Sequence, residues 1–89
     1  MSIEVDAGST PETAIPVKNV AEEYEYLRRQ QCPQCGGFGY KLRRQALLQT
    51  AAGPCDILDT ECITCSEART FYFDVTEVFD GYKRMFETP

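Results

Sequence analysis

Cys32-Pro33-Gln34-Cys35-Gly36-Gly37 and Cys62-Ile63-Thr64-Cys65-Ser66-Glu67 decide how this chain folds. Both segments begin with Cys-x-x-Cys, 26 residues separate the two pairs, and the 89-residue sequence contains no histidine. Each pair puts two thiolates on one tight turn, and two such turns face to face supply the four sulfurs that a closed tetrahedral metal site requires. Cys32, Cys35, Cys62 and Cys65 are therefore the candidate metal ligands.

Outside the turns, the chain is small and acidic, with Lys+Arg 9 against Asp+Glu 14. A domain of this size buries little apolar surface, and such domains recruit a metal or disulfides as a staple. Five cysteines are an odd number for a disulfide framework, and no charged-then-apolar leader opens the sequence, so reduced thiols in a cytoplasmic protein are expected. The longest apolar runs fall far short of the ~20 residues that span a bilayer, so no membrane attachment is expected.

Charge changes sign along the chain. Residues 1–26 hold six acids and one lysine, residues 27–50 hold Arg28, Arg29, Lys41, Arg43 and Arg44 with no acid, and residues 51–89 return to eight acids against three basic residues. Residues 1–16 mix prolines, small polar residues and acids without a helical or strand period, which predicts a disordered acidic tail ahead of a single domain at 17–89. Asn19 with Glu22 makes a capping box for a helix over about 19–30, with Val20, Tyr24 and Leu27 as its apolar face.

Phe38–Gln49 and Asp56–Glu61 read as strands flanking Thr50-Ala51-Ala52-Gly53-Pro54, a loop whose Gly-Pro pair argues against regular pairing. On the first strand the alternation sends Lys41, Arg43 and Gln45 to one side and Leu42, Ala46 and Leu48 to the other. Arg69–Val75 alternates as a third strand with Phe71, Phe73 and Val75 on one face. Beyond it, Asp74 with Glu77 predicts a short C-terminal helix, against a competing hairpin turn at Phe79-Asp80-Gly81-Tyr82.

With this pattern the chain resembles the zinc-ribbon superfamily: a Cys-Pro-x-Cys-Gly turn, a hairpin, a second Cys-x-x-Cys turn and a further strand, over about residues 32–75. The resemblance implies a small metal-stabilised α+β fold, a three-stranded antiparallel sheet, and one structural zinc per chain on Cys32, Cys35, Cys62 and Cys65. It leaves function open, because ribbons serve many tasks. The second turn departs from the pattern, since Ser66-Glu67 stands where Gly36-Gly37 follows the first, and Ser66 or Glu67 must take a less comfortable backbone geometry. A rubredoxin-like iron site and thiol redox chemistry are the competing uses of the same sulfurs. Cys55 is left over and reads as a small buried hydrophobe.

Three functional readings follow. An interaction module for a protein partner is expected from the surplus of aromatics in the flanks, Tyr24, Tyr26, Tyr72, Phe79, Tyr82 and Phe86, with a homodimer through those flanks as a variant. Nucleic-acid binding is the alternative, with Arg28, Arg29, Lys41, Arg43 and Arg44 on phosphates and Tyr40 stacking on a base. Its bland counterpart is that these cations pair with Asp56, Asp59 and Glu61 on the neighbouring strand. No nucleophile–base pair or acid/base spacing is recognisable, so no enzyme is expected.

Overall fold

The structure is a computed structural model that describes residues 8–80. A 3-10 turn at Pro11–Thr13 leads to strand β1 (Ile15–Pro16), helix α1 (Val20–Arg29), β2 (Tyr40–Thr50), β3 (Gly53–Cys62) and β4 (Ala68–Asp74). Residues 76–80 are helical, in keeping with the helix expected there; residues 81–89 lie outside the described residues. Among the described residues no helix is long and apolar enough to cross a membrane.

The sheet has four strands in the order β1-β4-β3-β2, not three. β2, β3 and β4 pair antiparallel as expected, and β1 adds to β4 in parallel, Ile15 opposite Phe73 and Pro16 opposite Asp74. β1 falls inside the stretch 1–16 expected to be a tail. Two residues carry no alternation to read, and this strand exists because β4 offers it a free edge.

Helix α1 starts where its cap predicts. The Asn19 side chain accepts a hydrogen bond from the Glu22 amide at 3.0 Å, while Glu22 Oε1 accepts from the Lys18 amide at 2.5 Å. Its buried face differs from the expected one: Glu23 and Leu27 are each 1% exposed, whereas Val20 and Tyr24 sit at the exposed margin. Leu27 packs into a core built by Tyr40, Leu58, Cys62, Phe71 and Phe73, with Tyr26 edge-on to both phenylalanines. Each of these large side chains contributes roughly 1.5–3 kcal/mol by leaving water.

Two further corrections concern β2 and β3. Gly53 and Pro54 are part of the ladder, opposite Thr50 and Gln49, so the connection shrinks to the two residues Ala51-Ala52. Gly53 takes φ +128°, and Pro54 sits at the strand's first turn of pairing, where its carbonyl accepts from the Val75 amide at 3.2 Å. A register shift between Leu42 and Arg44 leaves Arg43 as an extra residue. Leu42 stands opposite Thr60 and Gln45 opposite Leu58, so Gln45 and Leu47 turn to the α1 face, while Lys41, Arg44, Ala46 and Leu48 share the outer one.

Candidate metal centre

The two cysteine turns are built alike. In the first, the Cys32 amide donates to the Gly37 carbonyl at 2.7 Å and the Gly36 amide to the Cys32 carbonyl at 2.8 Å. In the second, the Cys62 amide donates to Glu67 and the Ser66 amide to Cys62, both at 2.9 Å. Gly36 has φ +77° and Ser66, its counterpart, φ +67°. Ser66 is the one non-glycine residue in that left-handed region among the described residues, which locates the strain expected of the second turn.

These turns close on each other. Cys32 Sγ lies 3.7 Å from Cys65 Sγ and Cys35 Sγ lies 3.6 Å from Cys62 Sγ, and all four sulfurs fall within 4.8 Å of one another. Those separations far exceed the about 2.05 Å of a disulfide. The 3.6 and 3.7 Å separations lie close to the edge of about 3.8 Å that a tetrahedron of thiolates has when each sulfur is about 2.3 Å from a central ion. Cys32 and Cys62 are fully buried and Cys35 and Cys65 exposed, so the first cysteine of each turn anchors the site to the core and the second closes it from outside.

Backbone amides serve the sulfurs. Gly37 donates to Cys35 Sγ and Thr64 to Cys62 Sγ, each at 3.4 Å. The amide of Cys35, with those of Gln34 and the Tyr40 hydroxyl, holds the Cys32 thiol down to about 6 against the opposing effect of burial. The amides of Cys65 and Thr64 lower Cys62 in the same way. At Cys65 the amide of Glu67 favours the thiolate, yet burial and the three neighbouring sulfurs outweigh it and push the thiol up to about 12. Four thiolates cannot coexist at this spacing without a cation among them, and the site therefore can hold a metal ion.

Tyr40 takes a role the sequence did not suggest. It is 5% exposed and edge-on to Phe71 at 5.4 Å, and its hydroxyl helps hold the Cys32 thiol down, so it backs a candidate ligand and turns no open face to solvent. Arg69 lies over the Phe71 ring at 4.6 Å and the Tyr40 ring at 5.6 Å, bringing a positive charge to the same corner. An aromatic three residues beyond a glycine-rich cysteine turn is the available sequence signal, but core packing and base stacking predict the same residue type.

The basic strip is paired. Arg44 reaches Asp59 at 3.3 Å, Arg43 reaches Glu61 at 3.5 Å and Lys41 reaches Glu61 at 4.0 Å across β2 and β3. Arg29 pairs with Glu25 one turn back on α1, and Arg28 is exposed on the same helix. Asp56, grouped by sequence with the acids that answer these cations, instead accepts from Gln45 Nε2 at 2.5 Å. Cys55 is 3% exposed on the outer face, away from the sulfur cluster, and burial, then Asp56 and Asp74, push its thiol up.

No protein family matches this chain, and no curated protein and no solved structure matches it.

Proposed function

We propose that this protein is a zinc-ribbon domain in which Cys32, Cys35, Cys62 and Cys65 hold one structural zinc, and that it works in the cytoplasm as a non-catalytic interaction module for a protein partner. The observation that carries the reading is the pair of equivalent cysteine turns, whose four sulfurs gather within 4.8 Å of one another with backbone amides turned toward them. All-thiolate closed sites are the usual structural form of zinc, and amide donors offset the formal charge of −2 that four thiolates leave on a divalent ion. Bound there, the ion supplies folding energy by tying the turn between β3 and β4 to the turn between α1 and β2.

For the partner, the metal end offers two large apolar side chains to solvent, Phe38 at 59% and Ile63 at 61% exposure, one beside each turn. Aromatic and aliphatic anchors of this kind fill pockets on a partner surface. The cations that nucleic acid would need are instead answered by Asp59 and Glu61, and the net charge of −5 opposes approach to a polyanion.

The test is capture by the immobilised, zinc-loaded chain across a salt series, with a mixed-sequence single-stranded oligonucleotide as competitor. The expected result is a protein retained as salt is raised and lost with Phe38→Ser/Ile63→Ser at unchanged zinc content. Oligonucleotide binding that declines steeply with salt and vanishes in Lys41→Ala/Arg43→Ala/Arg44→Ala would replace this reading with the nucleic-acid one. Light scattering of the same preparation reports whether the retained protein is a second copy of the chain.

A further inference from the structure

A groove of about 370 Å³ opens between α1, the β2–β3 pair and the helical residues 76–80, and none of its described lining residues belongs to a cysteine turn. Val20, Leu47, Val75, Val78 and Phe79 form apolar walls. Glu23 from α1 and Asp56 from β3 line it together with Gln45 from β2. Glu23 is 1% exposed and Asp56 6%, so both carboxyls are withdrawn from water, and among the described residues Glu23 Oε2 has no hydrogen-bond partner.

This arrangement is costly if it does nothing. A buried acid oxygen with no donor carries a desolvation penalty, and leucine in the same helix would avoid it. Gln45 already spends its amide on Asp56, and among the described residues lining the groove none is Lys or Arg. Desolvation, then the hydrogen bond to Asp56 and its charge, push the Glu23 carboxyl up to about 8. Among the described residues, the site holds no positive charge that can donate to both acids.

We propose that this groove binds an alkylammonium group, its nitrogen seated between Glu23 and Asp56 and its carbon chain against Leu47, Val78 and Phe79. The chemistry selects that class over a bare metal ion. A hard divalent cation asks for six or more oxygens, which two carboxylates among apolar side chains do not supply. An ammonium brings three donors on an apolar stem, matching two acceptors at the floor and hydrocarbon at the walls. The volume falls within the range of about 300–1,000 Å³ usual for small-ligand sites. On binding, the ammonium takes the place of the proton held by Glu23, whose carboxyl becomes a carboxylate, and the proton leaves to buffer. The inference does not depend on which metal the cysteines hold.

Butylammonium chloride is the first probe, titrated into the full metal-loaded chain with sodium chloride at equal ionic strength as the blank and the Glu23 and Asp56 carboxyl carbons followed by NMR. Calorimetry in two buffers of different ionisation enthalpy reads the released proton. Saturable shifts at both carboxyls with proton release are expected, with affinity falling roughly tenfold or more in Glu23→Gln and several-fold in Phe79→Ala, and zinc content unchanged. Blocked lysine, acetylated and amidated at its backbone, is the second probe: tighter binding than butylammonium assigns the ammonium to a protein's lysine side chain, and equal or weaker binding assigns it to a free amine. Absence of a saturable response of the native chain to either probe overturns the proposal, whatever Glu23→Gln does to folding. A response equally strong in Phe79→Ala and Glu23→Gln overturns it as well.

Discussion

Gly37 and Thr64 meet across the metal centre with no room to spare: a Cβ on Gly37 would lie 2.6 Å from Thr64 Oγ1, 3.0 Å from Thr64 Cβ and 3.3 Å from Cys35 Sγ. The two cysteine turns touch at this point, so the second glycine after Cys35 is needed for space. Gly37→Ala is expected to force the turns apart and weaken metal binding, at a cost of about 1–3 kcal/mol, the usual range for overpacking. Competition with a chromogenic chelator measures it, and Thr64→Ala, which removes the closest atom, should restore part of the loss.

Ser66 carries the opposite lesson. Its φ of +67° repeats the φ of +77° at Gly36, but with a Cβ attached. Ser66→Gly should therefore stabilise the metal-loaded protein by about 0.5–1 kcal/mol, and Gly36→Ser should destabilise it by a similar amount. Thermal unfolding at fixed zinc reads both, and a loss of stability in Ser66→Gly would show that the side chain contributes more than its backbone strain removes.

The buried acid on α1 sets a pH dependence. Burial first, then the hydrogen bond and charge of Asp56, raise Glu23 from 4.5 to about 8. The folded state then holds a proton that the unfolded chain releases, so this contribution is full below about pH 4.5 and is lost as pH rises toward and through about 8. Glu23→Gln, neutral throughout, should flatten the loss across that window and gain most over the native chain at its alkaline end. Gln45, facing Asp56 from β2, does not titrate, and the cysteine turns are kept metal-loaded by excess zinc. Denaturant midpoints at a series of pH values check the sign.

The cysteines divide four to one. Metal binding at a structural zinc site is worth on the order of 10 kcal/mol and is coupled to folding, so Cys35→Ser and Cys62→Ser should lose both metal and cooperative unfolding. Cys55→Ser should keep the metal and lower stability by no more than about 1–3 kcal/mol for a hydroxyl placed in a buried position. Alkylation of the metal-loaded chain should spare Cys55, whose thiol burial and the nearby Asp56 and Asp74 push up. Fast labelling of Cys55 in the folded protein would contradict that.

What could be read from sequence is what local chemistry writes into it. The cysteine spacing located the sulfur cluster, Asn19 located the start of α1, and the alternation of Phe71 and Phe73 located β4. What could not be read depends on contacts between elements. β1 is two residues with no period, held by the edge of β4. The extra residue at Arg43 slips the alternation, so charge pattern alone placed Gln45 on the wrong face. Glu23 is buried although acids are read as surface, and Asp56, the acid that acts on it there, lies thirty-three positions away. Tyr40 reads equally well as a stacking platform and as a core residue, and only the position of Cys32 distinguishes them.

Native mass spectrometry with elemental analysis of the purified chain, before and after a strong chelator, tests the metal centre most directly. One zinc per chain is expected, removed together with the narrow charge-state distribution of the folded protein. A chain that stays folded without metal, or that carries iron at the four sulfurs, would contradict the structural-zinc reading and make the two cysteine pairs a redox centre.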